Sequence, residues 1–256
     1  MHVGFLGYSG AMVKALLESC DFELCVCICE RSRWNDRLES LLLGEAVNIC
    51  LIDGNCDLEQ AMADAETETF LMCSFGIILP VEIVERYQII NFHPGSLENN
   101  RGRTPIVNSI LRGDSYSKMT AYVVGRGIDE GKEISSRFVC IDKMMGTNDL
   151  AKKLDAQIPM MLPEIHDYLA NGVVHATKGL YVPRVSPEAA SLDLTIDTLT
   201  DVVRKVRSQD VYGGAIGPRG RVKEAEVCRY EWNLQKDSDE DLIYQIIAEV
   251  RMKKGN

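Results

Sequence analysis

FLMCSFGIILPVEIVERYQIINFH, residues 70–93, has the pattern of a strand, a helix and a second strand. The apolar runs Phe70–Phe75 and Ile89–Phe92 are typical of buried strands. Pro80 precedes a helix over Val81–Arg86, because proline is favoured where a helix opens. A strand followed by a helix and another strand usually joins two parallel neighbours of one sheet. We therefore predict a parallel sheet in this part of the chain.

The same alternation continues in both directions. Further strands are predicted over Val3–Leu6, Leu24–Cys29, Val47–Leu51, Thr120–Val124 and Glu133–Ile141. Helices are predicted over Ala11–Cys20, Trp34–Leu43, Leu58–Ala65, Thr104–Leu111 and Leu199–Val206. One long helix, bent near Pro159 and Pro163, is predicted over Thr147–Leu169. This order predicts an α/β fold with a doubly wound, mostly parallel, Rossmann-like sheet.

The pattern changes in the last third of the chain. Gly172 is a typical helix stop after the long helix, and from Tyr181 onward short strand-like pieces replace the strand–helix alternation. We therefore predict a catalytic domain over residues 1–177 and a small C-terminal domain containing strands over residues 178–256. A homodimer through the apolar faces of this C-terminal domain is left open.

Composition excludes several classes of protein. Acidic residues outnumber basic ones, 38 to 28, which argues against broad binding to nucleic-acid backbones. Nine cysteines occur without CxxC or zinc-ligand spacing, so we expect reduced thiols, a cytoplasmic location and no metal. The start lacks the pattern of a signal peptide, and no apolar stretch approaches the ~20 residues of a membrane span.

The turn after the first predicted strand is rich in glycine. Gly4, Gly7 and Gly10 match the spacing of a dinucleotide fingerprint only in part, because that fingerprint needs glycine where Phe5 stands. An ordinary strand-to-helix turn is therefore favoured. The amides of Tyr8, Ser9 and Gly10 stay candidates for binding a substrate phosphate at the helix N-terminus.

Four segments form one series along the chain: Ser74–Pro80, Asn91–Leu97, Arg101–Pro105 and Gly127–Ile134. This series resembles the formyltetrahydrofolate-dependent formyltransferases, which include methionyl-tRNA, glycinamide ribonucleotide and sugar-amine enzymes. That family has an Asn-x-His at a strand end and an Asp-x-Gly further on, and here Asn91 and Asp129 are 129 − 91 = 38 residues apart. The resemblance covers roughly residues 1–175 and continues in outline through Tyr181–Ser186 and Tyr212–Ala215.

The residue types suit the transfer of a formyl group to an amine. Asn91 and His93 lie two apart on a strand and so project from one face, where their N–H groups can stabilise a developing oxyanion. His93 is suited to accept the proton of the attacking amine near neutral pH. Asp129 can orient the imidazole or relay the proton through water. Which of His93 and Asp129 takes the proton first is left open.

The resemblance also implies the ligand sites. It assigns 10-formyltetrahydrofolate as the co-substrate. The residues implied for its pterin are Phe75, Gly76, Ile77, Ile78 and Leu79 on one side, with Ile128 and Asp129 on the other. Arg101, Gly102, Arg103 and Thr104 resemble the acceptor segment of nucleotide-aminosugar enzymes, and guanidinium groups suit diphosphates.

The acceptor is less constrained than the reaction. Many members have Ser-Leu-Leu-Pro after the histidine, whereas this chain has Ser96-Leu97-Glu98-Asn99. The acidic charge and the lack of a basic stripe disfavour tRNA. The leading hypothesis is therefore a small amine, a nucleotide-linked aminosugar. Methionyl-tRNA, an amino-acid-derived amine of natural-product synthesis, and a catalytically silent folate- or nucleotide-binding protein are the alternatives.

Overall fold

The computed structural model describes residues 1–172, 179–186, 188–193, 195–217, 220–235 and 243–254. The predicted domain boundary between residues 177 and 178 lies outside these residues. The chain forms two compact units. The first comprises Met1–Pro105, Tyr116–Cys140 and Ala151–Pro183, and the second comprises Ile106–Ser115, Ile141–Leu150 and Arg184–Asn256. The second unit thus includes two short segments from the first 177 residues.

Seven strands build the sheet of the first unit. They are β1 (His2–Gly7), β2 (Glu23–Glu30), β3 (Asn48–Ile52), β4 (Thr69–Cys73), β5 (Gln88–His93), β6 (Tyr116–Val123) and β7 (Lys132–Cys140). Their order is β3-β2-β1-β4-β5-β6-β7. Strands β1 to β5 pair in parallel, whereas β6 and β7 are antiparallel to their neighbours. The predicted mostly parallel, Rossmann-like α/β sheet is confirmed.

Eight α-helices accompany the described strands. They are α1 (Gly10–Leu17), α2 (Asp36–Leu42), α3 (Asn55–Ala63), α4 (Val81–Arg86), α5 (Pro105–Arg112), α6 (Thr147–Asp155), α7 (Ile158–Asn171) and α8 (Leu199–Ser208). None of them has the length and apolar character that a membrane crossing requires.

The prediction of one continuous helix over Thr147–Leu169 is wrong, but the interruption lies just before Pro159, where the sequence predicts a bend. The segment forms α6 and α7, and the first of these ends at Asp155. Pro159 lies in the first turn of α7. It has no N–H to bond the carbonyl four residues earlier, so the helical ladder is interrupted there.

Strands β4 and β5 lie beside the point of the sheet at which a ligand-binding crevice is expected. The strand order reverses between β1 and β4, and the carboxyl ends of parallel strands at such a point open a crevice. Phe70 and Ile89 are buried in the core against Leu6 and Ile28. This packing fixes β4 beside β5 and brings the turn after β4 next to the end of β5.

The second unit contains an antiparallel sheet. Its strands are β8 (Ala215–Gly217), β9 (Gly220–Gln235) and β10 (Ile243–Lys254), in the order β10-β9-β8. Helix α8 opens with a capping box between Thr198 and Asp201, and it places Val202 and Val206 in the small core of this unit. The strands predicted for the C-terminal part of the chain are therefore present.

The burial of the Asp155 carboxyl group leads to a prediction about how stability depends on pH. Desolvation raises the pKa of Asp155 to about 6, and the neighbouring Arg37 opposes this rise only in part. The folded pKa lies above the unfolded value, so the folded state binds the proton more tightly. Ionised Asp155 therefore lowers the free energy of unfolding above pH 6, and this cost disappears below pH 4.

We expect Asp155→Asn to raise the free energy of unfolding by about 2 kcal/mol at pH 7.5 and to leave it unchanged near pH 4. Urea unfolding of variant and parent across this pH range measures the difference. Asp167→Asn, at an exposed position of α7, controls for the loss of one negative charge. A constant difference between variant and parent at every pH would contradict the prediction.

Candidate active site

Asn91 and His93 lie at the end of β5, the last parallel strand. The antiparallel register places Asn91 opposite Tyr122 and His93 opposite Thr120 on β6. His93 is 4% exposed, and Thr120 Oγ1 donates to the carbonyl of Gly95 at 2.8 Å, which closes the turn that follows the strand. The two predicted side chains therefore stand on a rigid part of the sheet.

Hydrogen bonds join the three predicted residues through a fourth. Asn91 Nδ2 donates to the Tyr122 hydroxyl at 2.8 Å, and that hydroxyl donates to Asp129 Oδ1 at 2.7 Å. Asp129 Oδ2 lies 3.8 Å from His93 Nδ1, within reach of an ion pair once the imidazole is protonated. The structure thus brings Asn91, His93 and Asp129 together. Sequence reasoning missed Tyr122, although it lies in a predicted strand seven residues before Asp129.

The loop after β6 holds Asp129 in an unusual backbone conformation. Its φ of 53° is in the left-handed region, which non-glycine residues seldom adopt. The Gly102 N–H supports this conformation by donating to Asp129 Oδ2 at 2.7 Å. The loop is also closely packed at Gly131, where a Cβ would overlap the carbonyl of Val123. Asp129 is therefore fixed by its surroundings, which is typical of functional sites.

The tautomer of neutral His93 follows from the hydrogen-bond partner of its Nε2 atom. His93 Nε2 lies 2.9 Å from the carbonyl oxygen of Asn100, and a carbonyl oxygen can only accept. Nε2 must therefore carry a proton, which leaves a lone pair on Nδ1, the nitrogen that faces Asp129. Asn100 is itself buried and held by a 2.8 Å bond from Nδ2 to the Pro105 carbonyl. Asn100 is a second residue that the sequence did not reveal.

Tyr122 keeps its proton in this site. Burial and the charge of Asp129 raise the pKa of the Tyr122 hydroxyl well above its ordinary value. The hydroxyl therefore keeps its proton near neutral pH and donates it to Asp129.

The turn predicted to bind the pterin follows β4. Phe75, Ile77 and Leu79 are half-buried against the core, whereas Ile78 is exposed. Gly76 is held on both sides, because its N–H donates to Glu30 Oε2 at 2.8 Å and its carbonyl accepts from Arg103 Nη2 at 3.2 Å.

On the other side of the predicted pterin site, the loop that ends in Ile128 and Asp129 leaves the Ile128 side chain exposed. Ile78 and Ile128 are thus both exposed apolar side chains in the segments predicted to bind the pterin. Among the described residues, no group of three His, Cys, Asp or Glu side chains is placed to hold a metal ion.

The four residues of the predicted acceptor segment occupy different environments. Arg101 is 6% exposed, and its Nε donates to the carbonyl of Leu97 at 2.7 Å. Gly102 has a φ of 111° and contacts Asp129 through its N–H, and Thr104 is buried. Arg103 alone of the four is exposed. Arg101 therefore supports the loop from inside, while Arg103 can reach a ligand.

The predicted phosphate turn adjoins two further arginines. The Ser9 hydroxyl accepts the Met12 N–H and so caps α1. The guanidinium of Arg33 lies 5.4 Å from the centre of the Tyr8 ring, and a Cβ at Gly10 would lie 2.8 Å from Arg37 Nε. Sequence reasoning did not select Arg33 or Arg37, which follow β2 and reach this turn only in the folded chain.

Comparison with known proteins identifies chains that are similar in sequence or in fold. The profile of the formyl transferase family matches residues 53–165. The methionyl-tRNA formyltransferase of Novosphingobium aromaticivorans is 30% identical over 181 residues, which cover 67% of this chain and 59% of that protein. Residues 53–165 therefore form a formyl transferase domain. The chain spans less than two thirds of the length of that curated relative.

Solved structures of other formyltransferases share the fold. A sugar N-formyltransferase from a Shewanella species aligns with a TM-score of 0.67 and 20% identity, over 86% of this chain and 94% of that one. WlaRD, a sugar 3N-formyl transferase solved in the presence of dTDP and 5-N-formyl-THF, aligns with a TM-score of 0.68 and 16% identity. That alignment covers 98% of this chain and 96% of WlaRD.

The tight packing of the loop that holds Asp129 leads to a prediction about stability. Because a Cβ at Gly131 would overlap the backbone of Val123, Gly131→Ala should lower the free energy of unfolding by about 1–3 kcal/mol. Gly125→Ala is the matched control, since its Cβ would have no atom nearer than 3.9 Å. Urea unfolding measures both variants, and equal effects would show that the loop is not packed as described.

Proposed function

We propose that the chain is an N-formyltransferase that moves a formyl group from 10-formyltetrahydrofolate to the primary amine of a small acceptor. The observation that supports this proposal is the cluster of Asn91, His93 and Asp129 at the end of β5, joined through Tyr122. The exposed apolar side chains of Ile78 and Ile128, in the two segments predicted to bind the pterin, also support it.

The mechanism begins with the acceptor amine. Its nitrogen attacks the formyl carbon, a new C–N bond forms, and the former carbonyl oxygen becomes negatively charged. Asn91 uses one N–H to hold Tyr122 and has a second N–H to donate to this oxygen. A donor placed in this way stabilises the transition state by about 2.7–4 kcal/mol.

Proton movement completes the reaction. Nδ1 of neutral His93 takes a proton from the attacking nitrogen, and the carboxylate 3.8 Å away stabilises the imidazolium that results. The proton then passes to the folate nitrogen as the bond between that nitrogen and the formyl carbon breaks. The products are the formamide of the acceptor and tetrahydrofolate. His93 is the base in this scheme, and Asp129 is its electrostatic partner and relay.

Removing the base should abolish turnover and spare folate binding. We expect His93→Ala to reduce kcat by about 10²–10⁴-fold, because general base catalysis contributes about that much. The affinity for a folate analogue should change by less than about threefold, since the predicted pterin turn does not use His93. His2→Ala, at an exposed position of β1, is the control. A His93→Ala variant as active as the parent would contradict the mechanism.

We also propose that the acceptor is a nucleotide-linked aminosugar. Arg103 is exposed beside the folate turn, and Arg33 and Arg37 lie at the predicted phosphate turn, so guanidinium groups are available for a diphosphate. The full-length likeness to sugar N-formyltransferases and the acidic net charge point the same way. Cytoplasmic location and a homodimeric state stay predictions from the sequence.

Methionyl-tRNA is the second candidate acceptor, because the curated relatives are enzymes of that name. An amino-acid-derived amine would use the same chemistry. A catalytically silent binding protein is disfavoured, because the cluster contains a base, an amide donor and a carboxylate in contact.

A thermal-shift panel separates these acceptors. With a folate analogue present, a nucleotide aminosugar at about 100 times its Kd should stabilise the folded state by about 2.7 kcal/mol and raise the melting temperature. Initiator methionyl-tRNA should give no shift. Nucleotides without the sugar serve as the control for the diphosphate contribution. A shift with methionyl-tRNA and none with any nucleotide sugar would reverse the assignment.

A further inference from the structure

Tyr122 lies between two members of the proposed catalytic cluster and carries out no chemical step in the proposed mechanism. It is 2% exposed, and its hydroxyl contacts Asn91 at 2.8 Å and Asp129 at 2.7 Å. The ring lies so close to Gly131 that a Cβ at this position would overlap it. The side chain of Tyr122, which belongs to β6, therefore contacts both β5 and the loop after β6.

The direction of these hydrogen bonds is fixed by chemistry. An amide nitrogen can only donate and a carboxylate can only accept, so the hydroxyl accepts from Asn91 and donates to Asp129. The amide of Asn91 consequently has one orientation, with its nitrogen toward Tyr122. A side chain without the hydroxyl would let the amide rotate and would leave Asp129 Oδ1 without this donor.

We propose that Tyr122 is a positioning residue for formyl transfer, which fixes the amide of Asn91 and the carboxylate of Asp129 in their working orientations. This inference rests on the proposed function. Orientation matters here because a donor misplaced by about 1 Å can cost a reaction about 100-fold in rate.

The test begins with Tyr122→Phe, which keeps the ring that packs on Gly131 and removes the hydroxyl. We expect kcat to fall about 10- to 100-fold, measured per folded site well below the melting temperature. The KM for 10-formyltetrahydrofolate and the affinity for a folate analogue should stay within about threefold of the parent, because the predicted pterin turn is not altered. A merely structural role would lower the melting temperature and leave kcat per folded site unchanged.

Tyr87→Phe is the matched control for removing a buried hydroxyl. The Tyr87 hydroxyl has no hydrogen-bond partner among the described residues, and its ring packs edge-on against Phe70 in the core. This variant should keep the kcat of the parent and be at least as stable, because an unpaired buried polar group is removed.

A double-mutant cycle shows whether Tyr122 acts through Asn91. In an Asn91→Ala background, the loss caused by Tyr122→Phe should shrink at least threefold, since the amide to be positioned is gone. Product is detected by mass spectrometry, which keeps slow variants measurable. An equal loss in both backgrounds, or a Tyr122→Phe variant within twofold of the parent kcat, would overturn the inference alone. A parent that formylates no amine would overturn the proposed function and this inference with it.

Discussion

The site depends on the interactions of the Asp129 carboxylate. Its two oxygens accept from Tyr122 on β6 and from the N–H of Gly102 on the loop after β5, and Oδ2 also faces His93 at the end of β5. Three separate pieces of chain are therefore held at one point by one side chain. The left-handed backbone of Asp129 is stabilised by this convergence, since an isolated loop would relax from it.

This convergence is made possible by the change of strand direction in the sheet. Up to β5 the strands are parallel, so the turn after β4 and the end of β5 meet at one edge. From β5 to β6 the pairing is antiparallel, which sets Tyr122 directly opposite Asn91. The parallel side thus supplies the turn proposed for the folate, and the antiparallel side supplies the carboxylate. Formyl transfer needs both at the same place.

The sequence predicts the elements of this arrangement better than their contacts. Alternating apolar runs place the strands, and the Asn-x-His and Asp-x-Gly patterns select the three residues that meet. The role of Tyr122 depends on the β5–β6 register, and that of Asn100 depends on the fold of a loop, neither of which has a local signal. Arg101 was selected for its charge, yet its Nε is bound to the carbonyl of Leu97. A guanidinium looks the same in sequence whether it supports a loop or binds an anion.

The contacts favour one answer to a question that the sequence leaves open, namely which group takes the first proton in the proposed reaction. The Asn100 carbonyl can only accept, so neutral His93 carries its proton on Nε2 and has its lone pair on Nδ1. Both oxygens of Asp129 already accept hydrogen bonds, from Tyr122 and Gly102. Nδ1 of neutral His93 thus has a lone pair to accept a proton, whereas both oxygens of Asp129 already accept hydrogen bonds. The proposed mechanism therefore uses the imidazole as the base and the carboxylate as the partner of the cation that forms.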